Sequence, residues 1–211
     1  MKFSTKLLNS DIDIISSINK SLLPDIRRYF KNIASKLEPQ IQNIVKNGIT
    51  NSPEYQSLIS GRLKYEFGLP DPENRLSQIL NIWERIEVSE QPAKIVGNQI
   101  YAKLEILMIQ QDYSDVLNIP ASTLITKKGE QLRWLEWLLL LGDKTIIKEY
   151  EVVLGGNKNS RTGNAVMKKK TSGKWKVPST FSGTATSNWI TRVLDSVDGE
   201  INSAINKVVK L

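Results

Sequence analysis

From residue 10 to residue 46, apolar side chains recur at steps of three and four: Ile15, Ile18, Leu22, Ile26, Tyr29/Phe30, Ile33, Leu37, Ile41 and Ile44. That is the period of an α-helix with one apolar stripe. A stripe this long commits the start of the chain to one helix, and other elements have to cover its apolar side. Ser10 or Asp11 is placed to cap it. Pro24 and Pro39 each remove a backbone donor and crowd the preceding turn, so kinks or short breaks are expected there. Gly48 is expected to end the helix. The opposite face carries Lys20, Arg27, Arg28, Lys31 and Lys36, which reads either as a solvated face or as contact with a neighbouring subunit.

Residues 52–88 read as a helical hairpin inserted after the long helix. Ser52-Pro53-Glu54 and Asp71-Pro72-Glu73 are both helix starts with proline in the first helical position. Tyr55, Leu58/Ile59, Leu63 and Phe67 form one apolar face, closed by Gly68 and Pro70. Leu76, Ile79/Leu80, Trp83 and Ile86 form the next. The period then changes. Ile100, Ala102, Leu104, Ile106 and Met108 alternate with Gln99, Tyr101, Lys103 and Glu105, the pattern of a strand with one buried face. Gly97-Asn98 suits a turn between two strands. Residues 115–125 suit an extended segment that turns at Pro120.

Helix is expected again over 129–141, where Trp134, Leu135, Trp137, Leu138 and Leu141 wrap around more than one face. Such a helix lies either in the core or at a subunit interface. A strand over 143–156 ends at Gly155-Gly156. A loop or hairpin around Thr171-Ser172-Gly173 follows, then extended chain with Trp175, Val177 and Phe181. The last helix is capped by Ser187 or Asn188 and has the stripe Ile190, Val193/Leu194, Val197, Ile201, Ala204/Ile205 and Val208. Helices segregated from strands give an α+β class: a long N-terminal helix over 10–47 and the helical hairpin, packed on a small antiparallel β-sheet. Residues 92–211 supply the sheet, a buried helix, a basic loop and the terminal helix, in one domain of 211 residues.

Charge is distributed unevenly. The chain has 29 Lys and Arg against 22 Asp and Glu, a net of +7. Residues 152–194 contain no acid, and Lys158, Arg161, Lys168, Lys169, Lys170, Lys174, Lys176 and Arg192 give that window +8. The rest of the chain is therefore −1, the difference between +7 and +8. Charge this local implies a local partner or an assembly contact.

The chain has no Cys and no His. Disulfides, Cys/His zinc sites and Ser-His-Asp or Cys-His catalysis are excluded. The commonest general base is missing, which points away from an enzyme. The stretch "GGNKNSRTG" lacks the spacing and the lysine of a phosphate-binding loop and reads as a hairpin loop. The carboxylate pairs Asp71/Glu73, Glu84/Glu87 and Glu149/Glu151 read as a helix start, a solvated face and a strand face. No cofactor or metal is expected. The N-terminal "MKFSTKLLNSDIDIISS" lacks an unbroken apolar run. "WLEWLLLLG" is much shorter than the roughly 20 residues a bilayer needs. No membrane role is expected, and the chain reads as cytosolic in origin.

The series "LRWLEWLLLLGDKTIIKEYEV", "SRTGNAVM", "WKVPSTFSGT" and "NWITRVL", within residues 131–197, resembles the tail-completion or head–tail joining (neck) protein family of tailed bacteriophages. The resemblance implies a non-catalytic virion protein, made in the host cytoplasm, that assembles as a homo-oligomeric ring of six or twelve copies. Other neck, connector and tail proteins would be its partners, and genomic DNA would pass without sequence-specific contact. Heterologous ring contacts need unlike surfaces on one subunit. The residues expected to meet neighbours are Trp134, Trp137, Arg161, Lys168, Lys169, Lys170, Lys174, Trp175, Lys176, Phe181, Trp189 and Arg192. The alternative is a nucleic-acid-binding accessory protein that uses the basic 152–194 segment through phosphate contacts and stacking.

Overall fold

The computed structural model describes residues 10–107, 113–126 and 129–209. Met108, the last residue of the expected strand alternation, and most of the N-terminal "MKFSTKLLNSDIDIISS" stretch lie outside them.

Helix α1 (Asp11–Asn51) runs 41 residues without interruption, roughly 60 Å at 1.5 Å per residue. Ser10 caps it reciprocally with Asp13: the Asp13 N–H donates to Ser10 Oγ at 3.3 Å and the Ser10 N–H to Asp13 Oδ2 at 3.2 Å. The Ser10 hydroxyl, which donates to Asp13 Oδ2 at 2.6 Å, and then the Ser10 N–H hold the Asp13 carboxyl below its usual value. Pro24 and Pro39 do not end the helix. Both are exposed, so the carbonyls they leave without a helical donor face water.

Gly48 does not end it either. It lies inside α1, where α7 (Trp189–Val209) crosses it. A Cβ at Gly48 would stand 2.7 Å from Val197 Cγ1 and 3.1 Å from Val193 Cγ1. Close helix contact, not helix termination, requires this glycine. The actual stop is Ser52-Pro53. The residue before proline is driven out of the helical region, and Ser52 takes φ −67°, ψ 148°. Ser52 then caps α2 (Pro53–Ile59) by accepting from the Tyr55 N–H. Its hydroxyl also donates to the Ile49 carbonyl at 2.6 Å and accepts from Trp189 Nε1 at 2.7 Å. One side chain thus joins α1, α2 and α7.

The 52–88 region holds three helices, not two. The expected Tyr55–Phe67 face breaks at Ser60-Gly61 into α2 and α3 (Arg62–Phe67), and α4 (Pro72–Trp83) follows. Leu58, Leu63, Phe67, Leu76, Ile79 and Trp83 belong to the same core as α1 and α7. The segment is part of the body and not an appendage.

Among the described residues the strands form three separate two-stranded antiparallel ladders, where a single small sheet was expected. β1 (Glu87–Val96) and β2 (Gln99–Leu107) turn at Gly97-Asn98, with Gly97 at φ 60°. Their apolar side is half-buried along α1. The segment around Pro120 is not extended: α5 (Ser114–Leu117) and a 3-10 turn (Pro120–Ser122) precede β3 (Leu124–Ile125). Arg75 Nη1 clamps this turn through the carbonyls of Ala121 at 3.1 Å and Thr123 at 2.9 Å. The helix expected over 129–141 shortens to α6 (Trp134–Leu139), because Gln131–Leu132 pairs with β3 as β4. β5 (Ile147–Leu154) and β6 (Ala165–Trp175) form the third ladder.

Aromatic contacts join the layers. Trp83 and Trp189 meet edge-on at 4.9 Å between ring centroids, and Phe67 lies 6.0 Å from both Trp134 and Trp175. Among the described residues no helix is long and apolar enough to cross a membrane.

Candidate functional site

The acid-free window folds largely into the β5–β6 ribbon. Its hairpin connection is at 155–164 and not at Thr171-Ser172-Gly173. The Gly155 N–H donates to the Asn164 carbonyl at 2.8 Å, and the Asn157 N–H to the Gly163 carbonyl at 3.1 Å. Gly155 (φ 132°) and Gly163 (φ 82°) supply the backbone this loop needs. The "GGNKNSRTG" stretch is a hairpin loop, as its composition indicates. Thr171, Ser172 and Gly173 instead lie within β6, in a bulge between the pairs Tyr150↔Lys169 and Lys148↔Lys174. Glu149, opposite the bulge, takes φ 60°.

Met167 to Lys174 are all exposed, so both faces of the ribbon meet water along this stretch. Lys168, Lys169, Lys170 and Lys174 lie here on β6, where a basic loop was expected, with Lys176 just beyond the strand. Lys148 joins them from β5, facing Lys174 across the ladder. Only a register visible in three dimensions could have added it. Lys170 Nζ pairs with Glu151 Oε2 at 2.7 Å and Lys176 Nζ with Asp143 Oδ2 at 3.2 Å. Among the described residues Lys148, Lys168, Lys169 and Lys174 make no ion pair. Lysine directly opposite lysine is destabilising. The ribbon therefore carries charge its own subunit does not neutralise.

The ribbon is tied to the body at its base and at its loop. Trp175 is buried edge-on against Phe67, and its carbonyl accepts from the Ile146 N–H at 2.9 Å. Arg161 reaches the Gly68 carbonyl at the C-terminus of α3, at 3.4 Å, where a cation is favoured.

The other expected contact residues divide differently. Trp134, Trp175 and Trp189 are buried within the subunit's own core, which corrects their placement at an interface. Trp134 Nε1 donates to the Ala121 carbonyl. Trp137 and Phe181 are half-buried against the same core. Arg192 is also committed internally. Its Nε and Nη2 donate to Glu54 Oε1 at 2.9 and 2.7 Å, and its Nη1 and Nη2 to the carbonyls of Ser182 and Phe181, both at 3.3 Å. Glu54, the buried acid that holds it, reads from sequence only as a helix-start residue.

Glu54 and Arg192 also line an apolar groove of about 820 Å3 between α1, α2 and α7. Ile44, Gly48, Pro53, Phe181, Val197 and Glu200 line it as well. The loop on its edge is fixed by Gly183. The Gly183 N–H donates to the Trp137 carbonyl at 2.9 Å, its carbonyl accepts from the Gly142 N–H at 2.7 Å, and a Cβ there would overlap the Leu138 carbonyl.

Two carboxylates of the expected pairs are held by lysines. Glu84 binds Lys46 at 2.7 Å, and Glu151 binds Lys170. Among the described residues no group of three or more Asp and Glu side chains is arranged to hold a metal ion. No family model, no curated protein and no solved structure matches the chain.

Proposed function

We propose that the chain is a structural subunit of a tailed-phage neck, at the head–tail connection or the tail end, and that it acts by assembling into a ring. The observation that carries this reading is the β5–β6 ribbon. It extends several unneutralised lysines into solvent on both faces, while the remainder of the chain is close to neutral. A basic projection on a near-neutral body gives one subunit two unlike surfaces, as heterologous ring contacts require. Charge of this kind sets register and encounter rate, and apolar burial supplies most of the affinity.

The test is the triple substitution Lys168→Glu, Lys169→Glu and Lys170→Glu. These side chains are exposed, so the circular dichroism of the subunit is expected to stay unchanged while particle assembly fails. Normal assembly by the triple variant would remove the ribbon from the contact. Purified virions are expected to contain the polypeptide at a fixed copy number divisible by six.

A second reading follows from the ribbon's shape. A two-stranded β-ribbon fits the major groove of duplex DNA, and lysines without carboxylate partners suit phosphates. That reading requires DNA affinity that falls steeply with salt, by about 0.9 logarithmic units per decade of salt for each phosphate neutralised. A flat salt response rules it out.

A further inference from the structure

The N-terminal half of α1 extends past the elements that cover the rest of the helix. Helix α7 reaches it as far as Tyr29, whose hydroxyl donates to the Val209 carbonyl at 3.3 Å. The β1–β2 ribbon flanks one side only, through Asn19 Nδ2 to the Asn98 carbonyl at 3.0 Å and Arg27 Nε to the Ala93 carbonyl at 3.0 Å. The apolar stripe nevertheless continues. Ile15, Ile18 and Leu22 carry on the line of Ile33 and Leu37, yet they are 38%, 50% and 45% exposed, and Ile12 beside them is 63% exposed. No described element buries them.

We propose that this stretch pairs antiparallel with the same stretch of a second copy of the chain. Ile15, Leu22 and Tyr29 are spaced by seven, and Ile18 falls three after Ile15, the seam of a two-helix pair. Charge selects the direction. Asp11 and Asp25 lie on the same seam, seven residues before and seven residues after Ile18. A parallel, in-register pair would set Asp11 against Asp11 and Asp25 against Asp25, a layer of like charge on either side of the Ile15, Ile18 and Leu22 layers. An antiparallel pair centred near residue 20 instead stacks Ile18 on Leu22 of the second copy and brings Asp11 beside Arg28 of the second copy. Two-fold symmetry makes each contact twice. The seam covers residues 11–29, roughly 27 Å at helical rise. So short an interface belongs to the weak class, burying less than about 1,200 Å2. This pairing is independent of the ring reading, because it needs only two copies and no lysine of the ribbon.

The experiment is sedimentation velocity on the full chain from about 1 µM to about 1 mM, a range that brackets weak association. A concentration-dependent dimer is expected. Ile18→Asp with Leu22→Asp, both exposed, is expected to leave a folded monomer by circular dichroism, with at least a tenfold loss of association. Asp11→Arg and Arg28→Asp are each expected to weaken the dimer, and the two together in one chain to restore it. A monomer at every concentration overturns the proposal. So does a dimer indifferent to the aspartates at 18 and 22, or a charge swap that does not restore pairing. The ribbon triple variant dimerises normally if the proposal holds, so this test and the assembly test fail separately.

Discussion

Arg192 offers a quantitative test, because sequence reasoning places it at a subunit contact while the structure ties it to Glu54. Glu54 is 3% exposed, and both Arg192 donors converge on its Oε1 at 2.9 and 2.7 Å. Arg192→Ala leaves that carboxylate buried without its cation, which costs about 3–5 kcal/mol in comparable pairs. The arginine side chain is 34% exposed, so water entering its vacated position recovers part of the loss. The expected cost is therefore near the lower bound, about 3 kcal/mol. For a chain of this size that lowers Tm by roughly 6–12 °C. Urea unfolding followed by tryptophan fluorescence reads it directly. The midpoint should fall with the slope unchanged, since the surface exposed on unfolding is nearly the same. Glu54→Leu combined with Arg192→Met removes both charges and is expected to recover to within about 1 kcal/mol of wild type. If Arg192→Ala alone costs less than about 1 kcal/mol, the value of an exposed pair, then Glu54 does not depend on Arg192. The internal assignment then fails, and the arginine is free for a neighbour.

Two further outcomes follow from the same structure. Gly48→Ala is expected to destabilise by about 1–2 kcal/mol despite the gain in helix propensity, because its Cβ would meet Val197 Cγ1 at 2.7 Å and a β-branched side chain yields little. Gly199→Ala, within α7 and with nothing within 4 Å of its Cβ, is expected to stabilise by about 0.5–1 kcal/mol. Equal effects at the two sites in urea titrations would refute the close-packing argument. Burial raises the Glu66 carboxyl above its usual value, opposed by the Arg62 bond, and its Oε2 has no hydrogen-bond partner. Folding thus favours the protonated acid. Its stability contribution is complete below the ordinary glutamate value of 4.5 and is lost as pH rises through the raised folded value. Glu66→Gln is expected to be more stable than wild type at pH 7, with the gap closing below pH 4.5. A gap independent of pH would rule out this titration.

Local chemistry made several elements legible in advance. The three-and-four stripe fixes α1, the Ser10, Ser52 and Asn188 caps fix helix starts, and Gly97-Asn98 fixes a hairpin turn. Each depends on residues within one or two turns of each other, so the sequence carries the information directly. Long-range contact decided the remainder. Gly48 looks like a helix terminator until α7 is seen crossing it. Trp134, Trp175 and Trp189 look like adhesive surface until Phe67, Trp83 and Ser52 are seen to enclose them. Thr171-Ser172-Gly173 has turn composition, yet its residues are absorbed as a bulge because β5 pairs on either side of them.

The composition of residues 152–194 determined that this protein carries a concentrated positive charge. Only the tertiary structure decided that most of it projects on a two-stranded ribbon while Arg192 turns inward to Glu54. The physical reason is that a side chain's charge is set by its own chemistry, whereas its partner is set by which distant segment folding brings within hydrogen-bond reach.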